Sequence, residues 1–158
     1  MLVHRDHLND EAATLALGNA LGAALSPGLV IHLIGDLGAG KTTLTRGMLT
    51  ALGHQGRVKS PTYALLEPYT FSRLDFYHFD LYRFRHEQEW HDAGFRELFN
   101  ERSVSVIEWP EKAARLVPPP DLLIELSPSA SDGRDVVITA RTVSGERCIE
   151  QLQQDAPP

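Results

Sequence analysis

The sequence predicts an α/β fold of three layers, in which helices cover a mixed, mostly parallel central sheet that ends in an antiparallel hairpin. Helical and strand-like segments alternate over the first part of the chain, which is typical of parallel sheets with crossover helices. Two late apolar segments, residues 122–126 and 136–139, flank a turn that contains Gly133, which predicts the hairpin. The length predicts a single domain, residues 1–158, with a frayed tail from about residue 152.

The first three predicted elements surround a glycine-rich segment. Residues 10–25 predict a helix, because Asp10 suits its positive end and leucines recur on one face. Residues 29–34 form an apolar run rich in β-branched side chains, which predicts a strand buried on both faces. Residues 41–52 predict the next helix, which would end at Gly53.

The middle of the chain predicts shorter elements that leave acidic residues at strand ends. In chain order they are a loop running into a strand at 58–69, a strand at 76–79, a helix at 87–100 with a candidate break at Gly94, and a buried strand at 104–107. Asp80 follows the second of these strands and Glu108 follows the last. Pro110 then prevents the last strand from continuing as a central strand.

Composition excludes several classes of function. The formal net charge of −6 argues against a large basic surface for DNA or RNA. No apolar run approaches the roughly 18 residues that span a bilayer, and the N-terminus lacks the order of a signal peptide. The expected location is therefore the cytoplasm, with no membrane partner. The single cysteine, Cys148, cannot form an intramolecular disulfide and is interpreted as a small buried apolar residue.

The glycine-rich segment carries the strongest chemical signal. It matches the phosphate-binding pattern GxxxxGK(S/T) with Gly35, Asp36, Leu37, Gly38, Ala39, Gly40, Lys41 and Thr42. Glycines let successive backbone N–H groups turn toward an anion, and the following helix adds its positive N-terminus. Lys41 supplies a charge for the outer phosphates, and the Thr42 hydroxyl can bind Mg²⁺. A chance match is roughly one in a few hundred, so the segment predicts a P-loop for a Mg-nucleotide.

Other polar residues are weaker candidates for the same site. Ligands of open α/β sheets bind beyond the carboxyl ends of strands, so Glu108 and Asp80 would face the crevice that holds Lys41. Each also fits an ordinary exposed acid at a strand end. Ser60 and Thr62 lie on the loop after the second helix, where P-loop proteins often sense the γ-phosphate. Taken by themselves, these two residues are better interpreted as part of a simple turn.

The histidines show no metal-binding pattern. His32 interrupts the first buried strand and is interpreted as a hydrogen-bonded core histidine. His78, His86 and His91 lack the spacing of a ligand set and are interpreted as surface histidines. Asp36, inside the glycine-rich segment, is interpreted as solvated rather than as a neighbour of a metal ion.

Four blocks of sequence together resemble the TsaE family, also called YjeE, the small ATPases of bacterial tRNA threonylcarbamoyladenosine biosynthesis. The blocks are residues 35–43, 59–63, 78–83 and 108–110. They follow one another in family order and at family spacing, so the set is far more specific than any one block after the P-loop.

The resemblance implies a function and assigns roles to residues. Members of the family hydrolyse ATP with Mg²⁺, and they associate with the TsaD–TsaB complex, which transfers threonylcarbamoyl to adenosine 37 of tRNA. Such a protein would meet tRNA only indirectly. The implied roles are phosphate binding for Lys41, magnesium binding for Thr42 and Glu108, a place beside the phosphates for Thr43, catalysis for Asp80, and a switch-like loop for Ser60, Pro61, Thr62 and Tyr63.

Three other hypotheses stay open. A small-molecule kinase would need an acceptor pocket and an arginine-bearing lid, and Arg83, Arg85 and Arg96 are available as its arginines. A GTPase is less favoured, because the chain has no Asn-Lys-x-Asp motif for recognising guanine. A nucleotide-dependent scaffold would keep the P-loop but tolerate the loss of Asp80.

Overall fold

The fold is a seven-stranded sheet with helices on both faces, seen in a computed structural model that describes residues 1–36, 38–59, 61 and 63–155. The strands are β1 (Val3–Leu8), β2 (Val30–Ile34), β3 (Leu66–Thr70), β4 (Asp75–Asp80), β5 (Ser103–Glu108), β6 (Leu122–Pro128) and β7 (Arg134–Ala140). The α-helices are α1 (Glu11–Ala24), α2 (Lys41–Ala51), α3 (Glu87–Asp92) and α4 (Val143–Gln154). Short 3₁₀ helices occupy Phe95–Leu98 and Pro110–Ala113.

The order of the strands is β1-β7-β6-β2-β5-β4-β3. The central strand β2 pairs in parallel with β5 and β6, and β4 pairs in parallel with β5. Antiparallel pairs extend both edges, with β6–β7–β1 on one side and β4–β3 on the other. The predicted α/β fold, with its parallel centre and late hairpin, is confirmed. Because β2, β5 and β4 run in parallel, their carboxyl ends meet at one edge of the sheet.

Two apolar clusters fill the opposite faces of the sheet. On one face, Ile31 of β2 belongs to a buried cluster with Leu21 of α1 and Leu44 of α2. On the other face, Phe79 of β4 stacks on Trp90 of α3 with ring centroids 6.2 Å apart. Side chains alternate along a strand, so the residues on either side of Phe79 point to the face that α2 covers.

Close packing between α1 and α2 fixes the position of the P-loop helix. A Cβ atom on Gly18 of α1 would lie 2.3 Å from the Leu44 carbonyl oxygen, and one on Gly47 of α2 would lie 2.4 Å from the Leu15 carbonyl oxygen. Only glycine permits such a close approach of two helix backbones. Since α2 begins at Lys41, this contact holds the start of the P-loop helix against α1.

The structure corrects several predicted boundaries. Strand β1 and helix α4 are absent from the prediction. The frayed tail expected from residue 152 is wrong for residues 152–154, because they form the end of α4 and Leu152 is buried. The helix predicted at 87–100 is interrupted at its candidate break, Gly94, where φ is +69°, so that α3 ends at Asp92 and a 3₁₀ helix follows at Phe95–Leu98. Residues 156–158 lie outside the described part.

Two further predictions concern the chain as a whole. That it forms a single domain stays a prediction. Among the residues that the structure describes, no helix combines the length and apolar character needed to cross a membrane.

Candidate phosphate-binding site

The predicted P-loop connects β2 to α2 through a sharp turn. Gly38 and Gly40 have φ angles of +79° and +101°, a region that favours glycine. The Ala39 N–H donates to the Asp36 carbonyl at 3.0 Å, which closes the turn. Gly40 is the N-cap of α2 and has no side chain that could accept hydrogen bonds from the start of the helix. The first backbone N–H groups of α2 are therefore available as donors to an anion. Leu37, a predicted member of the loop, lies outside the described residues.

Gly35 allows the loop to fold closely onto the neighbouring strand. A Cβ atom at this position would lie 3.0 Å from the Leu126 carbonyl oxygen of β6 and 3.1 Å from the Ala39 Cβ. A larger residue would require these neighbours to give way by a few tenths of an ångström. The first glycine of the motif therefore has a packing role in addition to any contact with a ligand.

Lys41 is buried inside this loop, with 5% of its side chain exposed. Its Nζ donates to the Gly35 carbonyl oxygen at 2.5 Å and lies 3.7 Å from Glu108 Oε1. It also lies 4.2 Å from the centre of the Trp109 ring. The ammonium group thus lies between the Gly35 carbonyl, the Glu108 carboxylate and the Trp109 ring.

Thr42 and Thr43 lie half-buried in the first turn of α2. The buried Thr45 hydroxyl donates to the Lys41 carbonyl at 3.0 Å and fastens this turn from within the helix. The structure therefore brings the described residues of the motif together at one helix N-terminus. Asp36 is exposed, which agrees with its interpretation as a solvated residue.

Asp80 and Glu108 end two neighbouring parallel strands and are Cα partners across them. Asp80 is 6% exposed and Glu108 is 3% exposed, so neither is the exposed strand-end acid of the alternative interpretation. The Tyr82 N–H donates to Asp80 Oδ1 at 3.0 Å, which orients that carboxylate at the end of β4. The structure thus places Glu108 beside Lys41, and Asp80 beside Glu108.

His78 lies next to these carboxylates, and its interpretation as a surface residue is wrong. The side chain is 0% exposed, and its Nε2 lies 2.5 Å from Glu108 Oε2. The alternation of β4 turns His78 and Asp80 to the same face of the sheet, the one that α2 covers. The spacing of histidines along the chain could not reveal this contact, because it depends on how β4 and β5 pair.

His86, His91 and Cys148 fit their interpretations, whereas His32 is hydrogen-bonded as expected but lies outside the fully buried core. His86 and His91 are exposed, and His32 is half-buried with its Nε2 at 2.9 Å from the Pro118 carbonyl. Burial lowers the pKa of His32. Cys148 is buried, and that burial raises the pKa of its thiol to about 11. Within the described residues, no group of three His, Cys, Asp or Glu side chains is arranged to hold a metal ion.

Comparison with known proteins identifies the family. Residues 8–136 match the family described as "Threonylcarbamoyl adenosine biosynthesis protein TsaE". The chain belongs to the TsaE family. It is 41% identical over 148 residues to the TsaE protein of Haemophilus influenzae, covering 90% of this chain and 93% of that one. It is 36% identical to the Bacillus subtilis protein, covering 89% and 88%.

A solved structure agrees with this membership. The crystal structure of Bacillus subtilis YdiB superposes with a TM-score of 0.80 at 30% identity, covering 97% of this chain and 94% of that one. The predicted resemblance is confirmed, and it places the chain in tRNA threonylcarbamoyladenosine biosynthesis.

The last of the TsaE-like blocks contains a strained residue. Trp109 follows β5 with φ of +56°, an unfavourable value for a bulky side chain. Its ring covers Lys41 and contacts Tyr82 at 5.0 Å between centroids. Lys112 lies 5.7 Å from the centre of the Tyr82 ring. A row of alternating cations and rings therefore runs from the P-loop lysine to the surface.

A hollow beside the P-loop joins the predicted Thr43 to residues that the sequence did not indicate. It lies between the starts of α1 and α2 and the β6–β7 turn, and Thr14, Thr43 and Arg134 line it. Arg134 Nη2 donates to the Gly38 carbonyl at 3.1 Å and ties the hairpin to the P-loop. Sequence patterns offer little reason to assign Arg134 to the site, because arginines are common in hairpin turns on protein surfaces.

The predicted switch-like loop is only partly described. Ser60 and Thr62 lie outside the described residues, so their predicted roles stay predictions. The neighbouring Tyr63 is 84% exposed, and Arg83 lies 4.7 Å from the centre of its ring. Tyr63 therefore adjoins the end of the TsaE-like block at residues 78–83.

Proposed function

We propose that the protein is a Mg-dependent ATPase that supports threonylcarbamoyl transfer to adenosine 37 of tRNA by associating with the TsaD–TsaB complex. The observation that carries the proposal is the buried Lys41 ammonium, held within the glycine-rich loop between the Gly35 carbonyl and the Glu108 carboxylate. A buried cation at a helix N-terminus is suited to polyphosphate, because both the lysine and the helix dipole favour negative charge.

The phosphates of ATP would occupy the concave side of the loop. Backbone N–H groups from Gly38 to Thr43 would bind them, and Lys41 would exchange the Gly35 carbonyl for phosphate oxygens. The hollow beside the loop is lined by Thr43 and Arg134 and not by Glu108, and we propose it as the place for the nucleoside. We propose that selectivity for adenine arises there.

The side chains at the carboxyl edge of the sheet fit a magnesium ion that arrives with the nucleotide. Mg²⁺ is usually held by one or two carboxylates together with substrate phosphates, rather than by a cage of protein ligands. We assign the Thr42 hydroxyl and the Glu108 carboxylate as its protein ligands. The bound ion would neutralise charge on the phosphates.

Asp80 is proposed as the residue that orients the attacking water and receives its proton. The carboxylate is buried at the edge that carries Glu108, and the Tyr82 N–H fixes the position of Oδ1. A general base needs a defined position within hydrogen-bonding reach of its substrate. The Asp80 side chain meets the first of these two conditions.

The proposed partner surface lies where exposed aromatic and arginine side chains adjoin the site. Within residues 77–85, Phe79 and Phe84 are buried, whereas Tyr82 is 39% exposed and Arg83 is exposed. With Tyr63 they form one surface, which we propose docks on TsaD–TsaB. Aromatic side chains and arginine are the types enriched at protein interfaces. The net charge of −6 disfavours direct tRNA binding, so contact with tRNA would be indirect.

The proposal is tested by ATP binding and by the products of the reaction. Lys41→Ala should weaken ATP binding about tenfold to more than a hundredfold in titration calorimetry, because charge-assisted hydrogen bonds contribute about 1.5–3 kcal/mol each. Lys112→Ala, which removes an exposed lysine, should bind as the wild type does. The wild type should release ADP and inorganic phosphate in equal amounts. ADP without phosphate, in the presence of small acceptors, would indicate a kinase instead.

A further inference from the structure

The buried contact between His78 and Glu108 has a consequence for the proposed magnesium site. The two oxygens of Glu108 have different neighbours, His78 Nε2 at 2.5 Å from Oε2 and Lys41 Nζ at 3.7 Å from Oε1. Lys41 is itself hydrogen-bonded to the Gly35 carbonyl, so its contact with Glu108 is the looser one. The firm partner of the Glu108 carboxylate is therefore His78.

The pairing of β4 with β5 produces this contact. His78 is the Cα partner of Val106, and Glu108 lies two positions beyond Val106. Residues in this diagonal relation share a face of the sheet, and long side chains can span the distance between them. The side chains of His78 and Glu108 are both long enough to meet across this distance.

Nothing else in the described structure explains a polar side chain at His78. The residue is fully buried, and its Nδ1 has no hydrogen-bond partner among the described residues. Burying a polar group is unfavourable unless a hydrogen bond compensates. An apolar residue would therefore suit this core position better, unless the contact with Glu108 is itself needed.

We propose that His78 is a positioning residue that holds Glu108 in place for the magnesium ion of a bound nucleotide. This inference rests on the proposed function. When phosphates draw Lys41 away from Glu108, His78 remains in contact with the carboxylate among the described contacts. His78 Nε2–H continues to donate to Oε2, so Oε1 stays directed toward the loop.

The expected effect of losing His78 follows from the role of residues that hydrogen-bond to metal ligands. Hydrogen bonds to a ligating carboxylate fix its orientation, and their removal typically lowers metal affinity about 10- to 100-fold. His78→Leu fills a similar volume but donates no hydrogen bond. His78→Gln places an amide N–H near the position of Nε2, so it should restore much of the effect.

The test measures how much Mg²⁺ strengthens ADP binding, which does not depend on hydrolysis. Titration calorimetry gives the dissociation constant of ADP in EDTA and in excess Mg²⁺, and the ratio is the magnesium enhancement. His78→Leu should bind ADP in EDTA nearly as the wild type does but lose about tenfold or more of the enhancement. His78→Gln should keep most of it. Ser105→Ala, a buried polar substitution on the opposite face of β5, should keep all of it.

Two results would overturn the inference. One is a folded His78→Leu variant with the full enhancement of the wild type. The other is a further loss when His78→Leu is added to Glu108→Gln, since a residue that acts through Glu108 has nothing left to position. If His78→Leu does not fold, His78→Asn replaces it, because its shorter amide cannot reach Oε2, and it must lose the enhancement that His78→Gln keeps. A wild type with no enhancement would instead refute the proposed magnesium site itself.

Discussion

The close contact between α1 and α2 predicts that Gly47→Ala destabilises the protein and weakens the phosphate site. The new Cβ would lie 2.4 Å from the Leu15 carbonyl oxygen and 2.9 Å from the Asn19 backbone nitrogen. Both obstacles are backbone atoms of α1, so a side-chain rotation cannot relieve the clash. The two helices must move apart, and α2 carries Lys41 at its first position.

The magnitude combines two opposing effects. Overpacking typically lowers the free energy of unfolding by about 1–3 kcal/mol. Because the clash at Gly47 is with backbone atoms, which cannot rotate away, we expect a cost of about 3 kcal/mol for Gly47→Ala. Alanine is favoured over glycine inside a helix by about 1 kcal/mol. The net loss is therefore about 2 kcal/mol, which lowers the melting temperature of a chain of this size by roughly 4–8 °C.

Differential scanning calorimetry and ATP titration measure the two consequences together. Thr50→Ala is the matched control on the same helix, because it removes only an exposed hydroxyl that donates to the Arg46 carbonyl. We expect Gly47→Ala to melt earlier and bind ATP more weakly than Thr50→Ala. A Gly47→Ala variant that is as stable as the wild type would show that the helices do not approach each other as described.

Three further predictions concern the site, the core and the partner surface. Glu108→Gln and Asp80→Asn should both reduce ATP hydrolysis while ATP still binds, and raising Mg²⁺ in a phosphate-release assay should partly rescue only Glu108→Gln. The opposite pattern of rescue would exchange their proposed roles. Burial raises the pKa of Cys148 to about 11 from the usual 9.0, so the folded protein holds the thiol proton more tightly than the unfolded chain. The free energy of unfolding should therefore fall as the pH rises from about 9 through 11. Urea unfolding curves should show a smaller fall for Cys148→Ala, and an equal fall in both proteins would contradict this prediction. Tyr82→Ala combined with Arg83→Ala should weaken binding to TsaD–TsaB in a pull-down but leave ATP affinity unchanged, and a loss of ATP affinity would place these residues in the nucleotide site.

The parts of the fold that follow local sequence rules were predictable. The glycine-rich loop depends on spacing within eight positions, and its strand and helix follow from periodicity on either side. Glu108 was predictable as a strand-end acid because β5 is an uninterrupted buried run. Strand β1 was missed because most of its side chains are exposed and polar, since among the described strands it lies at the edge of the sheet, beside β7.

Helix α4 was missed although its signals are in the sequence. Thr142 caps its start, with its hydroxyl accepting the Gly145 N–H at 3.1 Å. Cys148, Ile149 and Leu152 recur at helical spacing and are buried. The polar end of the chain obscured this pattern, because it favours interpretation as a tail.

The contacts that complete the site could not be predicted, because they join distant parts of the chain. His78 and Glu108 are 30 residues apart, and their contact requires the register between β4 and β5. Arg134 and Gly38 are 96 residues apart and meet only because the β6–β7 hairpin reaches the P-loop. Sequence patterns identify residues with a chemical role, whereas tertiary structure determines which residues support them.

The most direct test of the proposed function is the rate of ATP hydrolysis with and without purified TsaD–TsaB complex. The protein alone should hydrolyse ATP slowly, and the complex should accelerate the reaction, because a missing positioning or charge-stabilising group can be supplied by another protein. Asp80→Asn should still bind ATP and the complex but show no acceleration. A rate that stays unchanged in a large excess of the complex, with no binding in the ATP, ADP or analogue state, would contradict the proposed function while leaving the phosphate-binding loop intact.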